Sequence, residues 1–154
     1  MEYKFWEMGS TLTFELEDIE KLQEKGIIGL ESAVGYWGYS SYAWTTFPVL
    51  VFETYNSELF YPFGGSIKYV GIPRNITEDD YVITKEGYSI MKPEVAICDM
   101  IEFDADMFHT LEAIDKYMCF ADDTAPLEEL AKQRGIYDKL IEYAEIAAKD
   151  FEEQ

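Results

Sequence analysis

The chain has 154 residues, 31 acidic and 12 basic, for a formal net charge of −19. That charge opposes nonspecific attraction to nucleic acid or anionic membrane, whose phosphates repel it. A hydrophobic content of 48%, with 16% aromatic residues, excludes a largely disordered acidic tail, because so much apolar surface is driven out of water.

The start, Met1-Glu2-Tyr3-Lys4-Phe5-Trp6-Glu7, has neither the basic opening nor the apolar run of a signal peptide, so a cytoplasmic location is expected. No apolar run approaches the length of a transmembrane helix, and no membrane association is expected. Leu16, Ile19 and Leu22 share one face of a helix expected from about Phe14 to Lys25 and stopped by Gly26. Its acids, Glu15, Glu17, Asp18, Glu20 and Glu24, outnumber Lys21 and Lys25, which favours packing or a protein partner over nucleic acid.

Gly26-Ile27-Ile28-Gly29 reads as a break, and Leu30 to Tyr39 as a second helix with Ala33, Val34 and Trp37 on its apolar side. Gly35 and Gly38 weaken that helix but permit the close approach of another backbone. Pro48-Val49-Leu50-Val51-Phe52 is the continuous apolar run of a buried strand. Just before it, Tyr36, Trp37, Tyr39, Tyr42, Trp44 and Phe47 form either a core seam or a protein-binding surface.

Asn56 to Ser66 reads as a loop, Ile67 to Ile72 as a strand with one wet face, and Thr77-Glu78-Asp79-Asp80 as an acidic link. Two β-prone runs, Tyr81 to Thr84 and Tyr88 to Met91, flank Lys85-Glu86-Gly87 and predict a hairpin. Pro93 suits the first turn of a helix running roughly from Glu94 to Phe103, apolar over most of its surface and therefore buried. Asp104 is the expected cap of the next helix, whose Phe108, Leu111, Ile114 and Met118 fall on one face. Thr124 is expected to cap a helix from Ala125, Gly135 to end it, and Ile136, Leu140, Tyr143 or Ala144, Ala147 and Phe151 to form the core stripe of a last one. The order predicts a single α+β domain over 1–154, with a small mixed sheet of about four strands. Residues 1–29 form an N-terminal helical segment, 30–92 the sheet-containing half and 93–154 the C-terminal helices.

The run Val95-Ala96-Ile97-Cys98-Asp99-Met100-Ile101, followed by Leu111-Glu112-Ala113-Ile114-Asp115-Lys116-Tyr117, resembles the C-terminal region of AbiEi-type antitoxins of bacterial type IV toxin–antitoxin systems. Glu31-Ser32-Ala33 through Tyr39-Ser40-Ser41 takes the place of that family's Glu-Ser-Ala…His-Gly-Leu-Thr helix. Leu130, Ala131, Gly135, Leu140 and Tyr143 resemble its closing helices. The resemblance spans roughly 30 to 148 and implies neutralisation of a nucleotidyltransferase-like toxin. Departures are Val95-Ala96 in place of an Arg-Thr pair, Trp37 in place of His, and no room before residue 30 for the family's N-terminal winged helix-turn-helix, which puts promoter binding in doubt.

Enzymatic chemistry finds little support. His109 is the single histidine, and no nucleophile motif accompanies it. Gly64-Gly65-Ser66 with Asp79-Asp80 invites comparison with a nucleotidyltransferase signature, but adjacent carboxylates on a strand point to opposite faces. Glu15-Leu16-Glu17 and Asp104-Ala105-Asp106 have alternating acids but fall at helix starts. There is no calcium loop, zinc spacing or phosphate loop. Cys98 and Cys119 are expected as small core residues, and neither a metal nor another cofactor is expected.

Residues 94–154 carry 17 acids against 5 basic residues, so the negative field lies mainly on the C-terminal helices. A basic protein is the expected partner, with no direct nucleic-acid contact. Glu128, Glu129, Glu142, Glu145, Trp37 and Trp44 are the candidate contact residues. The alternative is a stand-alone acidic inhibitor, for example a phage-encoded one, that mimics nucleic acid to block a defence or nucleic-acid-processing enzyme. Oligomeric state is left open by the sequence.

Overall fold

A computed structural model describes residues 27–44, 48–53, 68–85, 87, 89–103 and 105–152. The helix expected from Phe14 to Lys25, the loop over 56–66, Phe47 and Asp104 lie outside them. Among the described residues, five strands form one mixed sheet: β1 (Ile27–Ile28), β2 (Val49–Glu53), β3 (Lys68–Ile72), β4 (Tyr81–Ile83) and β5 (Ser89–Met91), in the order β3-β2-β1-β5-β4. The fifth strand beyond the four expected is β1, which the sequence suggested was only a break. Two residues are too few to show a period, yet β1 runs antiparallel to β2 and parallel to β5 and joins the two halves of the sheet.

Val49, Leu50 and Val51 are all buried, as their continuous apolar run predicts, and α1 packs against this strand. Tyr81 pairs with Met91 and Ile83 with Ser89 across the predicted hairpin, whose turn places Gly87 at φ +95°. That conformation strains any residue with a Cβ.

Helix α1 (Leu30–Trp37) ends two residues earlier than the sequence suggests, because Gly38 adopts φ +88° and donates back to Gly35 and Val34. Gly35 does admit a close approach: a Cβ there would lie 2.9 Å from the backbone oxygen of Tyr42. Helix α2 (Pro93–Glu102) starts on Pro93 and is buried at every position from Val95 to Ile101. It packs against α1, α3 (Met107–Phe120) and α4 (Ala125–Gln133), while α5 (Tyr137–Glu152) packs on α3.

Helix α3 begins after Asp106, whose carboxylate accepts from the His109 backbone N–H at 2.9 Å. Asp106 therefore supplies the capping carboxylate that the sequence suggested for Asp104. At α4 the side-chain acceptor for the first turn is Asp123, which bonds the Ala125 N–H at 3.0 Å, and not Thr124. Leu140 and Ala147 of α5 are fully buried, as their stripe predicts. Cys98 is buried, but Cys119 is exposed at the end of α3, against expectation, because the helix runs past the core there.

Candidate functional site

Asp99 lies in the middle of α2 with no exposure to solvent. A lone buried carboxylate would be costly, and two guanidinium groups answer it. Arg74, just after β3, donates from Nε to Oδ1 and from Nη2 to Oδ2, each at 2.8 Å; Arg134, just after α4, donates from Nη1 to Oδ1 at 2.8 Å. Burial works against the charge of Arg74, but its bonds to Asp99 and Asp80 outweigh that and raise its pKa, so it stays a cation.

Arg74 also reaches forward. Its Nη1 donates to Asp80 Oδ2 at 2.8 Å and to the Asn75 carbonyl at 2.8 Å. Asp80 closes a 3-10 turn (Glu78–Asp80), and its Oδ2 also accepts from the Thr77 N–H at 3.0 Å. Asp79 and Asp80 thus sit on a turn before the strand, where no alternation orders them.

From this turn opens a cleft of about 270 Å³, lined by Asp79, Asp80, Glu94, Val95, Pro126, Glu129, Leu130 and Gln133. Four carboxylates stand around a floor of Val95, Pro126 and Leu130, and no cation is in the lining. Of the four, Asp80 is already paired with Arg74 at 2.8 Å, and that guanidinium also grips Asp99, as Arg134 does. The volume falls below the ~300–1,000 Å³ typical of small-molecule pockets, and suits one or two long side chains from another protein. No cluster of metal-ligating residues occurs among the described residues.

The sequence candidates separate. Glu129 reaches the cleft. Glu128 is half-buried and its Oε2 lies 3.4 Å from the Thr124 hydroxyl, while Glu142 and Glu145 are exposed on α5. Trp37 and Trp44 are half-buried against the core: Trp37 Nε1 donates to the Met91 carbonyl at 2.8 Å, and the rings of Trp37 and Trp44 meet Tyr36 edge-on at 5.0 and 5.3 Å. Asp79, Asp80 and Glu94, which the sequence reading did not single out as contact candidates, line the same cleft. The signal that finds them is hairpin register: with Tyr81 opposite Met91, residue 80 faces 92, as the Lys92 N–H bonding the Asp80 carbonyl at 2.9 Å shows. That closure brings the acidic link to the start of α2.

A second polar group fixes the loop after α1. Glu112 Oε1 accepts from the Ser41 N–H at 2.7 Å, the Ser40 hydroxyl at 3.0 Å and the Ser41 hydroxyl at 3.1 Å, and Lys116 Nζ lies 3.6 Å from Oε2. Burial pushes the Glu112 pKa up, but these donors and Lys116 prevail and hold it below the usual carboxylate value. His109 Nδ1 is 3.1 Å from Ser40 Oγ and 3.6 Å from Glu112 Oε1. This is no nucleophile triad: Ser40 bonds the carboxylate directly, accepts from the Tyr42 N–H at 3.1 Å and is itself buried, whereas a triad places the imidazole between the two.

The fold and the cleft together define a small α+β protein whose described surface offers an acidic, apolar-floored recess. No protein-family model matches the chain, and no curated protein matches it. No helix among the described residues is long and apolar enough to cross a membrane.

Proposed function

We propose that the chain is a non-enzymatic, antitoxin-like protein that neutralises a nucleotidyltransferase-like toxin, seating a basic segment of it in the cleft between the 3-10 turn, α2 and α4. The observation that supports this reading is the convergence of Asp79, Glu94 and Glu129, beside the Arg74-paired Asp80, around an apolar floor. Carboxylates over such a floor bind the head of a lysine or arginine while its methylene stem covers the apolar atoms. Removing both from water in one place gives specificity as well as attraction. The resemblance of the Val95 to Ile101 and Leu111 to Tyr117 strings to AbiEi-type antitoxins supplies the class of partner.

The second reading is the acidic inhibitor. Asp138, Glu142 and Glu145 are exposed on α5 at spacings of four and three residues, about 6 and 4.5 Å apart along the helix axis. An open row of this kind presents negative charge to a nucleic-acid-binding groove with little apolar contact.

Capture with the tagged full-length protein from its native host, washed at low and at high salt, separates the two. A single nucleotidyltransferase-like protein retained at high salt, and lost when Asp79 and Glu129 are both changed to lysine, is the expected result. A nucleic-acid-processing complex released by salt or by competing DNA would overturn it in favour of the inhibitor.

A further inference from the structure

The apolar row of α3 does not end where the core ends. Leu111 and Ile114 are buried, at 8% and 0% exposure, yet Phe108, one step earlier on the same face, is 54% exposed, and its neighbour Met107 is 50% exposed. The Phe108 ring meets Phe151 of α5 at 5.8 Å and His109 at 5.2 Å, and His109 in turn meets Tyr42 at 5.2 Å. Four rings from three parts of the chain therefore form a continuous edge-to-face ladder at one end of the helical layer. Its most exposed member is Phe108.

The surroundings of the ladder are negative. Asp106 and Asp150 are exposed beside Phe108 and Phe151 in sequence, and the one basic residue in the last turn of α5 is Lys149. Glu31, buried, bonds the Asp106 N–H at 3.2 Å from beneath. Burial first, and then the charges of Glu31 and Asp106, push the Tyr42 hydroxyl up to about 12.

We infer that this end of the molecule, Met107, Phe108 and Phe151 with their acidic rim, is a second docking surface, which receives an arginine-bearing amphipathic segment of a basic protein. Charge selects that occupant. A second copy of this chain brings another −19 to the contact, and nucleic acid or anionic lipid is repelled in the same way. A planar guanidinium stacks on aromatic faces while donating to nearby carboxylates, and its apolar neighbours would cover Met107. The inference rests on the reading that the partner is basic, but it concerns a surface separate from the cleft.

The test is a titration of the full-length protein, carrying labelled phenylalanine rings and labelled methionine, leucine and valine methyls. The probes are a capped amphipathic helical peptide of leucine and arginine and its leucine–lysine and leucine–glutamate counterparts, followed by NMR. Saturable shifts at Met107, Phe108 and Phe151 are expected with the arginine peptide, weaker binding with lysine and none with glutamate. Phe108→Ala should weaken the arginine peptide about tenfold while lowering the thermal melt only slightly, since about half of the residue is in water and its two ring contacts are edge-on.

Shifts confined to Val95 and Leu130 would place the peptide in the cleft and overturn the inference without touching the proposed function. Equal binding of the glutamate peptide, or ring contacts between Phe108 and residues 1–26 in the free protein, would also overturn it. Arginine-peptide binding at Phe108 in a protein that captures no toxin would sustain the inference and refute the antitoxin reading alone.

Discussion

Arg74 grips Asp99 through two parallel N–H···O bonds, both 2.8 Å, and so ties the turn after β3 to the middle of α2, which is buried from Val95 to Ile101. Arg134 adds a third bond from the far end of α4. The sheet, α2 and the last helices are therefore joined at one carboxylate. Removing its charge leaves two guanidinium groups largely out of water. Asp99→Asn should lower unfolding stability by ~3–5 kcal/mol, read from the urea midpoint. Replacing Asp99, Arg74 and Arg134 together with apolar residues of similar volume should recover much of that loss; a triple variant weaker than the single one would refute the account.

The clamp at Glu112 predicts an acid-sensitive arm of stability. Its pKa is lower in the folded protein than the ordinary 4.5, so the clamp contributes fully above that value and is lost as pH falls through the folded one. Glu112→Gln should therefore be less stable than the native chain at neutral pH and should show a shallower fall below pH 4.5. Tryptophan fluorescence against urea at a series of pH values would reveal it, since the loop that Glu112 holds leads to Trp44. Parallel curves for the two proteins would count against the clamp.

Three glycines should respond differently to alanine. At Gly29 a Cβ would lie 2.6 Å from Val51 Cγ2 and 3.3 Å from Met91 Cγ, so Gly29→Ala should cost ~1–3 kcal/mol by overpacking. Gly35→Ala meets backbone, the Tyr42 oxygen at 2.9 Å, and should displace the loop. Gly38 meets nothing but adopts φ +88°, so alanine there should cost about 1 kcal/mol from conformation alone. Thermal melts of the three variants would rank them.

The two thiols should behave oppositely. Burial raises the Cys98 thiol to about 12, whereas Cys119 is exposed. At neutral pH an aromatic disulfide reagent should titrate Cys119 in the native protein and reach Cys98 only in denaturant. Prompt reaction of both in the native state would contradict the packing of α2.

Charge reversal at the cleft rim should separate binding from folding. Asp79 and Glu129 are exposed, so changing both to lysine should alter stability by no more than about 0.5 kcal/mol while abolishing capture of a basic partner. Loss of capture together with a collapsed melt would show instead that these acids serve the fold.

Much of the architecture was legible in the sequence. The hairpin, Pro93 at the head of a buried helix, the strand at 49–51 and the stripe through Leu140 and Ala147 all follow from short-range periodicity and turn chemistry, which operate within a few residues. β1 was not legible, because two residues show no period and its place in the sheet depends on partners more than twenty residues away. The capping carboxylate of α3 fell two residues late for a similar reason: where Glu31 anchors the Asp106 N–H is a tertiary matter.

The sequence by itself determined that this protein is acidic, apolar enough to fold, and built as an α+β chain with its charge concentrated in the C-terminal half. The tertiary structure alone decided which carboxylates meet. It brought Asp79, Asp80 and Glu94 to Glu129, buried Asp99 between two arginines, set Trp37 and Trp44 against the core, and left Phe108 half exposed on a face where Leu111 and Ile114 are buried. The physical reason is that helix and strand periods are local properties of the backbone. Convergence and exposure depend instead on where distant elements stop, and that is set by packing across the whole fold.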